Sequence, residues 1–140
     1  MNARSFLDTN VVVYAFDQTS VEKSRIARQL ITDGVNDGRS ILSFQVIQEF
    51  VNVVLKGFRI TLAMTDLELF IETALFPMAA VSTTQSLILE GLRLQPAYQM
   101  SWYDSLIVAA ALQGKCRVLY SEDLQHGQRF GDLLVQNPFL

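Results

Sequence analysis

Four acidic residues lie in this chain at predicted junctions between secondary-structure elements. They are Asp8, Glu49, Asp104 and Asp123, and each stands in an otherwise apolar stretch. A carboxylate among hydrophobic side chains is costly to bury unless its charge is compensated. A hard divalent cation such as Mg²⁺ or Mn²⁺ supplies that compensation, because it prefers oxygen ligands. The residue types therefore indicate a divalent metal site.

Each acid also has an ordinary structural role open to it. Asp8 could cap the helix that follows it, and Asp123 could sit in a turn. The spacing of Ser101 and Asp104 matches a capping box, with the acid in the first helical turn. Glu49 is the hardest to explain in this way, because the predicted helix around it is so apolar. If all four meet at one edge of one sheet, a shared site explains them better than separate caps and turns.

Strand and helix signals alternate along the chain, and these elements would position the acids. Strands are predicted over residues 5–8, 41–43, 79–81, 117–120 and 133–135. Helices are predicted over residues 11–16, from a capping box at Thr19–Glu22 to 36–38, over 45–55, 65–75, from 82 or 83 to 94, and over 101–113.

This alternation predicts an α/β fold with a parallel sheet and helices on both faces. Right-handed crossovers place the carboxyl ends of parallel strands along one edge, where binding sites of such sheets lie. Asp8 ends the first strand and Glu49 lies one helical turn past the second. Asp104 opens a helix and Asp123 follows a late strand. All four can therefore converge, although they are spread over most of the chain.

Length and composition predict one domain spanning residues 1–140, in a soluble cytoplasmic protein. No apolar run approaches the roughly 18 residues that span a bilayer, so no membrane partner is expected. The N-terminal stretch does not read as a secretory signal. The single cysteine, Cys116, excludes an internal disulfide and is expected to be a core residue.

The charge balance gives no broad basic surface for nucleic acid. The net charge is −3, and with the four candidate ligands set aside 11 basic side chains face the 10 remaining acidic ones of the 14. Binding to nucleic acid would have to depend on bound metal and on the placement of individual Arg and Lys side chains.

The order of these motifs resembles the PIN-domain family, specifically the VapC-type ribonuclease toxins of bacterial toxin–antitoxin pairs. The resemblance covers essentially the whole chain. It rests on the segments Phe6-Leu7-Asp8-Thr9-Asn10, Gln48-Glu49-Phe50, Tyr103-Asp104-Ser105 and Ser121-Glu122-Asp123, and on the tail Asn137-Pro138-Phe139.

The resemblance implies a three-layer α/β/α sandwich with a central parallel sheet and a Mg²⁺/Mn²⁺-dependent endoribonuclease site. The metal-binding acids of the family correspond to Asp8, Glu49, Asp104 and Asp123. Its helper hydroxyl and amide positions correspond to Thr9, Asn10 and Ser121. The implied partners are an RNA substrate and a cognate antitoxin protein. The alternative is a catalytically silent protein that kept the fold and binds protein or RNA.

Other phosphate-handling α/β proteins fit less well. A phosphoaspartate hydrolase requires Asp-x-Asp after the first strand, and the third position here is Asn10. A phosphotransfer receiver requires a lysine at the end of a late strand, whereas Lys115 precedes its strand.

Several other residues carry expectations of their own. Trp102 and Tyr103 could stack on bases, although packing at the helix start is favoured slightly for both. His126 is expected in a surface loop, outside the chemistry. Excess apolar surface on the helices over 46–55 and 65–75 predicts a homodimer.

Overall fold

The five predicted strands, with one further two-residue strand that the sequence did not predict, form the centre of the molecule, a six-stranded sheet with helices on its faces. The computed structural model describes residues 3–140. The strands are β1 (Arg4–Leu7), β2 (Ser40–Ser43), β3 (Ala79–Val81), β4 (Cys116–Tyr120), β5 (Arg129–Phe130) and β6 (Leu133–Gln136), in the order β3-β2-β1-β4-β6-β5. All neighbouring pairs are parallel except the short edge pair β5 and β6, which is antiparallel.

The helices complete the expected three-layer α/β/α sandwich. They are α1 (Thr9–Tyr14), α2 (Val21–Asp37), α3 (Phe44–Lys56), α4 (Met64–Phe70), α5 (Phe76–Met78), α6 (Gln85–Tyr98) and α7 (Trp102–Gln113), with a π-helical turn, Ile71–Leu75, between α4 and α5. In residues 3–140 no helix combines the length and the apolar character needed to cross a bilayer.

The core is densest around the central strand β1. Phe6 and Leu7 are fully buried, as is Leu119 on the neighbouring strand β4. A strand covered on both faces must be apolar on both, which explains the continuous hydrophobic runs in the sequence. Helix α7 is buried from Ser105 to Ala111, and its small alanine side chains allow close packing. This rigid centre holds the carboxyl ends of β1 and β4 side by side.

Several helix starts differ from the sequence prediction, and α1 begins at Thr9, two residues before the predicted start. Helix α2 is preceded by Ser20 as N-cap, because the Thr19 hydroxyl and backbone N–H both donate to Asp17 Oδ1 and are not available to cap the helix. The capping box expected at Thr19 is therefore wrong. Helix α6 begins at Gln85, where the Thr84 hydroxyl accepts the Leu87 backbone N–H.

Several helix ends also differ, and α1 ends at Tyr14, two residues before the predicted end. Helix α6 continues to Tyr98, four residues past the predicted end at Leu94. The single helix predicted over 65–75 is instead a short α-helix followed by the π-helical turn and α5. Pro77 lacks a backbone N–H, so a regular α-helical hydrogen-bond ladder cannot pass through it.

Candidate functional site

The four predicted acids line one cleft with a volume of about 330 Å³. The cleft lies at the carboxyl edge of the sheet, where β1 and β4 end beside each other. Its lining side chains come from α1, α3, the segment after α3, α7 and the segment after β4: Asp8, Thr9, Asn10, Val13, Glu49, Asn52, Val53, Arg59, Asp104, Ile107 and Asp123. The predicted convergence of distant acids is what the fold produces.

Asp8 is the buried member of the set. It follows β1 directly and its side chain Oδ1 accepts the Thr9 backbone N–H at 2.7 Å, so it is the N-cap of α1. The Ser121 hydroxyl donates to the other oxygen, Oδ2, at 2.8 Å. Asp8 is only 5% exposed. The Asp8 side chain therefore both caps α1 and lines the cleft.

Burial raises the pKa of Asp8 to about 7. The hydrogen bonds from Ser121 and Thr9 act in the opposite direction, and the negative charges of Glu49 and Asp123 add to the increase. A nearby positive charge would stabilise the ionised form of this buried carboxyl group and lower its pKa.

Asn10 links the two ends of the chain that meet at the cleft. Its Nδ2 lies 3.2 Å from Asp123 Oδ2, 3.3 Å from Ser121 Oγ and 3.4 Å from Asp8 Oδ2. Its Oδ1 accepts the backbone N–H of Glu122 at 3.0 Å. Because both ends of this buried amide are engaged, its orientation is set, and it brings Asp8 and Asp123 within reach of one side chain.

Ser121 positions the segment that carries Asp123. Its side chain is fully buried, and its Oγ accepts the backbone N–H groups of Asp123 at 3.2 Å and Leu124 at 3.4 Å while donating to Asp8. A hydroxyl that accepts from the residues following it forms a local turn. Ser121 therefore turns the chain after β4 so that Asp123, which is exposed, stands at the cleft.

Glu49 is held by donors on both carboxylate oxygens. The Thr9 hydroxyl donates to Oε1 at 2.6 Å, and Gln45 Nε2 lies 3.4 Å from Oε2. Gln45 Nε2 also donates to the Tyr103 carbonyl at 3.2 Å, which ties α3 to the start of α7. The sequence prediction missed Gln45, although its position four residues before Glu49 on one helix face was a usable signal.

Asp104 also combines a helix-end position with a place in the cleft. Ser101 caps α7 as predicted, and its Oγ accepts the Asp104 backbone N–H at 3.1 Å. The Asp104 side chain lines the cleft. Of the hydrogen bonds made within residues 3–140, none reaches its carboxylate oxygens.

The donor set of the cleft suits a hard cation. Four carboxylates line it, and in the described part of the chain no Lys, Arg or His forms an ion pair with any of them. Within that same part, no group of three or more His, Cys, Asp or Glu side chains is arranged to hold one ion. Mg²⁺ does not need such a cage, because it keeps several waters and uses one or two protein carboxylates. The residues therefore fit a largely hydrated Mg²⁺ or Mn²⁺.

The two aromatic residues before Asp104 have different environments. Trp102 is half-buried and lies against α6, where a Cβ added at Gly91 would come within 3.3 Å of its ring. This confirms packing for Trp102. Tyr103 is 64% exposed, so packing at the helix start is wrong for that residue.

The expectations of a buried Cys116 and of a surface loop at His126 are confirmed. Cys116 is buried in β4, and burial raises its pKa to about 12, which suits a core residue. His126 is exposed in a loop, where its Nδ1 accepts the Asn137 backbone N–H at 3.0 Å.

A second cluster, which the sequence prediction missed, adjoins the cleft through Arg59, its one member among the described lining residues. The Tyr14 hydroxyl donates to Glu122 Oε1 at 2.6 Å, and Lys23 Nζ lies 2.6 Å from Glu122 Oε2. Phe139 packs edge-on against the Tyr14 ring, with 4.8 Å between ring centroids. Arg59 lies over the same ring, 4.6 Å from its centroid. No local signal in the sequence links these residues, which come from distant parts of the chain.

Comparison with known proteins supports the fold described above. The sequence profile of the PIN domain family matches residues 5–129. One similar solved chain belongs to a toxin–antitoxin complex from Klebsiella pneumoniae, with 16% identity, 96% of this chain and 97% of that chain covered, and a TM-score of 0.66. Another belongs to VapBC2 from Rickettsia felis bound to a DNA fragment from its promoter, with 16% identity, 95% and 97% covered, and a TM-score of 0.62. A search of curated proteins found no match.

The buried Asp8 carboxyl predicts how the stability of the metal-free protein depends on pH. Its folded-state pKa of about 7 lies above the unfolded value of about 3.9, so the folded state binds this proton more tightly. The resulting stabilisation is fully present below about pH 4 and is lost as the pH rises through about 7. In EDTA, the melting temperature of wild type should fall across this window more than that of Asp8→Asn.

The exposed Asp132 provides the matched control for this measurement. Asp132→Asn should keep the wild-type profile of melting temperature against pH. Identical profiles of melting temperature against pH for wild type and Asp8→Asn would contradict the prediction, because ionisation of Asp8 would then not destabilise the folded state.

Proposed function

Because this chain belongs to the PIN domain family, we propose that it is a Mg²⁺- or Mn²⁺-dependent endoribonuclease that hydrolyses RNA phosphodiester bonds. The observation that carries this proposal is the cleft itself, where carboxylates from four separate parts of the chain meet and, among the described residues, none of them forms an ion pair with a basic side chain. VapC-type PIN domains, which the sequence motifs resemble, are typically nucleases. The cleft is open to solvent at Asp123, so a strand of RNA can reach the acids.

Asp8 and Asp123 are the proposed direct metal ligands, since Asn10 contacts both carboxylates. Glu49 and Asp104 would hold a second cation or orient the attacking water. A divalent cation bound there would lower the pKa of a water molecule and neutralise charge on the phosphate and the leaving oxygen.

Thr9, Asn10 and Ser121 act in this proposal by orienting carboxylates. Thr9 donates to Glu49, Ser121 donates to Asp8, and Asn10 lies between Asp8 and Asp123. Hydrogen bonds of this kind favour the charged form of a carboxylate and limit its rotation, so that its free lone pairs point where a ligand is needed. No histidine is required, and His126 is not among the cleft residues of the described chain.

We further propose that the enzyme is the toxin of a toxin–antitoxin pair and acts in the cytoplasm, where its RNA substrate is found. Support comes from the resemblance to VapC-type toxins and from similar solved chains that belong to toxin–antitoxin complexes. The partner would be a small antitoxin protein that covers the cleft.

A homodimer is proposed from exposed apolar side chains. Leu55 on α3 is 63% exposed. Leu69 on α4 is 59% exposed, and Phe58 between the two helices is 93% exposed. Apolar side chains grouped on adjacent segments are typical of interaction surfaces.

Metal dependence is the first test of the proposed function. Purified protein should cut RNA in the presence of Mg²⁺ or Mn²⁺ and should stop when EDTA is added, because the carboxylates alone supply no charge neutralisation. RNA fragments resolved on a denaturing gel give the measurement. Cleavage that persists in EDTA contradicts the proposal, and RNA binding without cleavage at any metal concentration favours the catalytically silent alternative.

Substitutions at Asp104 and at Ser101, three residues before it, distinguish a metal-binding role of Asp104 from a role in capping the helix. Asp104→Asn should raise the melting temperature in EDTA by relieving repulsion among the carboxylates, and should reduce the rise produced by Mn²⁺, because that rise depends on affinity. Ser101→Ala removes only the cap, so it should cost about 1 kcal/mol of stability and keep the Mn²⁺ response. RNA cleavage should be largely lost in the first variant alone. If both variants behave as cap deletions, Asp104 is not a ligand.

The proposed assembly is tested in solution and in cells. Light scattering at micromolar concentrations should give the mass of a dimer, and Leu55→Ser with Leu69→Ser should shift it toward the monomer. Co-expression with the protein encoded by the neighbouring reading frame should restore growth to bacteria that produce this chain. A monomer at every concentration refutes the dimer, and failure of the neighbouring protein to protect cells refutes the antitoxin assignment.

A further inference from the structure

Arg59 is the one basic side chain among the described residues that line the cleft. Every other charged side chain of that lining is one of the four acids. RNA would bring further negative charge into the same space, and the chain as a whole has a net charge of −3. A single well-placed guanidinium therefore matters more here than it would on a basic surface.

The backbone around Arg59 is fixed on both sides. Helix α3 ends at Lys56 and is followed by Gly57, whose φ of +70° is the left-handed conformation that turns the chain away from the helix axis. Ile60 is buried, with 4% exposure, and anchors the residue after Arg59 in the core. Arg59 therefore projects from a defined turn.

The Arg59 side chain is held mainly by a ring face. Its guanidinium carbon lies 4.6 Å from the centroid of the Tyr14 ring. Stacking on a ring leaves the N–H donors at the edge of the guanidinium plane free for other partners. The ring itself is fixed by the bond from its hydroxyl to Glu122 and by the edge contact with Phe139.

Asp17, the acidic neighbour of Arg59, leaves N–H donors of the guanidinium free for other partners. Both Nε and Nη2 of Arg59 lie 3.5 Å from Asp17 Oδ2, a long separation for a charged hydrogen bond. The other carboxylate oxygen of Asp17 takes the Thr19 hydroxyl at 2.6 Å and the Thr19 backbone N–H at 2.9 Å. The Arg59 side chain remains 46% exposed.

We propose that Arg59 binds a backbone phosphate of the RNA strand in the cleft, with its planar donors directed at the non-bridging oxygens and its face supported by Tyr14. The inference rests on the proposed ribonuclease function and adds a substrate-binding residue to it. A guanidinium suits this role because its fork of donors matches the geometry of a phosphate group. The competing explanation is that Arg59 only ties the turn after α3 to Asp17, which predicts a loss of stability and no change in RNA binding.

The test measures RNA binding separately from cleavage. A fluorescent single-stranded RNA is titrated with wild type, Arg59→Ala, Arg59→Lys and Arg93→Ala in Ca²⁺ at several KCl concentrations, and anisotropy gives the affinity. The RNA is checked on a gel afterwards, and cleavage is followed separately in Mn²⁺. Arg93→Ala is the matched control, since Arg93 is exposed, pairs with Glu90 on α6 and carries the same charge outside the cleft.

Arg59→Ala should bind RNA about tenfold more weakly than wild type. Its plot of log affinity against log salt should be shallower by about 0.7, the value for one phosphate contact to a single strand. Arg59→Lys should keep the salt slope, because the charge is retained, and should bind more weakly than wild type because the planar fork is lost. In Mn²⁺, Arg59→Ala should raise the half-saturating RNA concentration more than it lowers the maximal rate. Its Mn²⁺-induced rise in melting temperature should stay unchanged.

Equal affinity and equal salt slope for Arg59→Ala and Arg93→Ala would overturn the inference, whatever their melting temperatures. If Arg59→Ala does not fold, a wild-type affinity for Arg59→Lys overturns it in the same way. RNA binding that depends on Arg59 without cleavage in Mn²⁺ would refute the proposed function and leave the phosphate contact standing. Absence of RNA binding by wild type would refute both.

Discussion

Burial of the Asp8 carboxylate at the end of the central strand is the constraint on which the rest of the site depends. A carboxylate at this depth is stable only with donors around it, and the structure supplies the Thr9 backbone N–H, the Ser121 hydroxyl and the Asn10 amide. These donors then fix other groups: Asn10 reaches Asp123, and Thr9 reaches Glu49. The residues that donate to this buried carboxyl group therefore also contact two further carboxylates.

The strand order explains why these contacts are possible. Strand β1 lies between β2 and β4, so the segments that follow all three strands start from one edge of the sheet. Helix α3 follows β2 and carries Glu49, while the turn after β4 carries Ser121 and Asp123. The cleft is a direct consequence of parallel pairing around a central strand, as is general for open α/β sheets.

A cluster of a different chemical character contacts Arg59, the basic side chain of the cleft lining. Tyr14, Glu122, Lys23 and Phe139 form a packed cluster of aromatic and charged groups, and Arg59 rests against it at the rim. This cluster connects Phe139, in the tail of the chain, to Arg59 through the Tyr14 ring. The cleft therefore combines four carboxylates, which favour bound cations, with one guanidinium, which favours an anion. This combination suits a negatively charged ligand whose repulsion from the carboxylates is offset by bound metal.

The sequence by itself determined the elements of the fold and the four acids. Hydrophobic runs and periodicity depend on neighbours in the chain, so five of the six strands and most helices could be located, whereas the two-residue strand β5 could not. The acids stood out as charges inside apolar stretches. Competition between local hydrogen bonds limited even this prediction. The Thr19 hydroxyl donates to Asp17, and the N-cap of α2 is Ser20, not Thr19. Resemblance to a family supplied Thr9, Asn10 and Ser121.

Only the tertiary structure decided which distant residues share the site. Gln45 holds Glu49 and the start of α7, and Arg59 reaches the Tyr14 ring, because of how helices and turns pack around the sheet. The same packing buries Trp102 against α6 and leaves its neighbour Tyr103 exposed. Consecutive helical residues differ by about 100° in direction, so which of them contacts another helix depends on the placement of that helix. Side-chain contacts between segments far apart in sequence carry no local signature, and for that reason they could be read only from the folded chain.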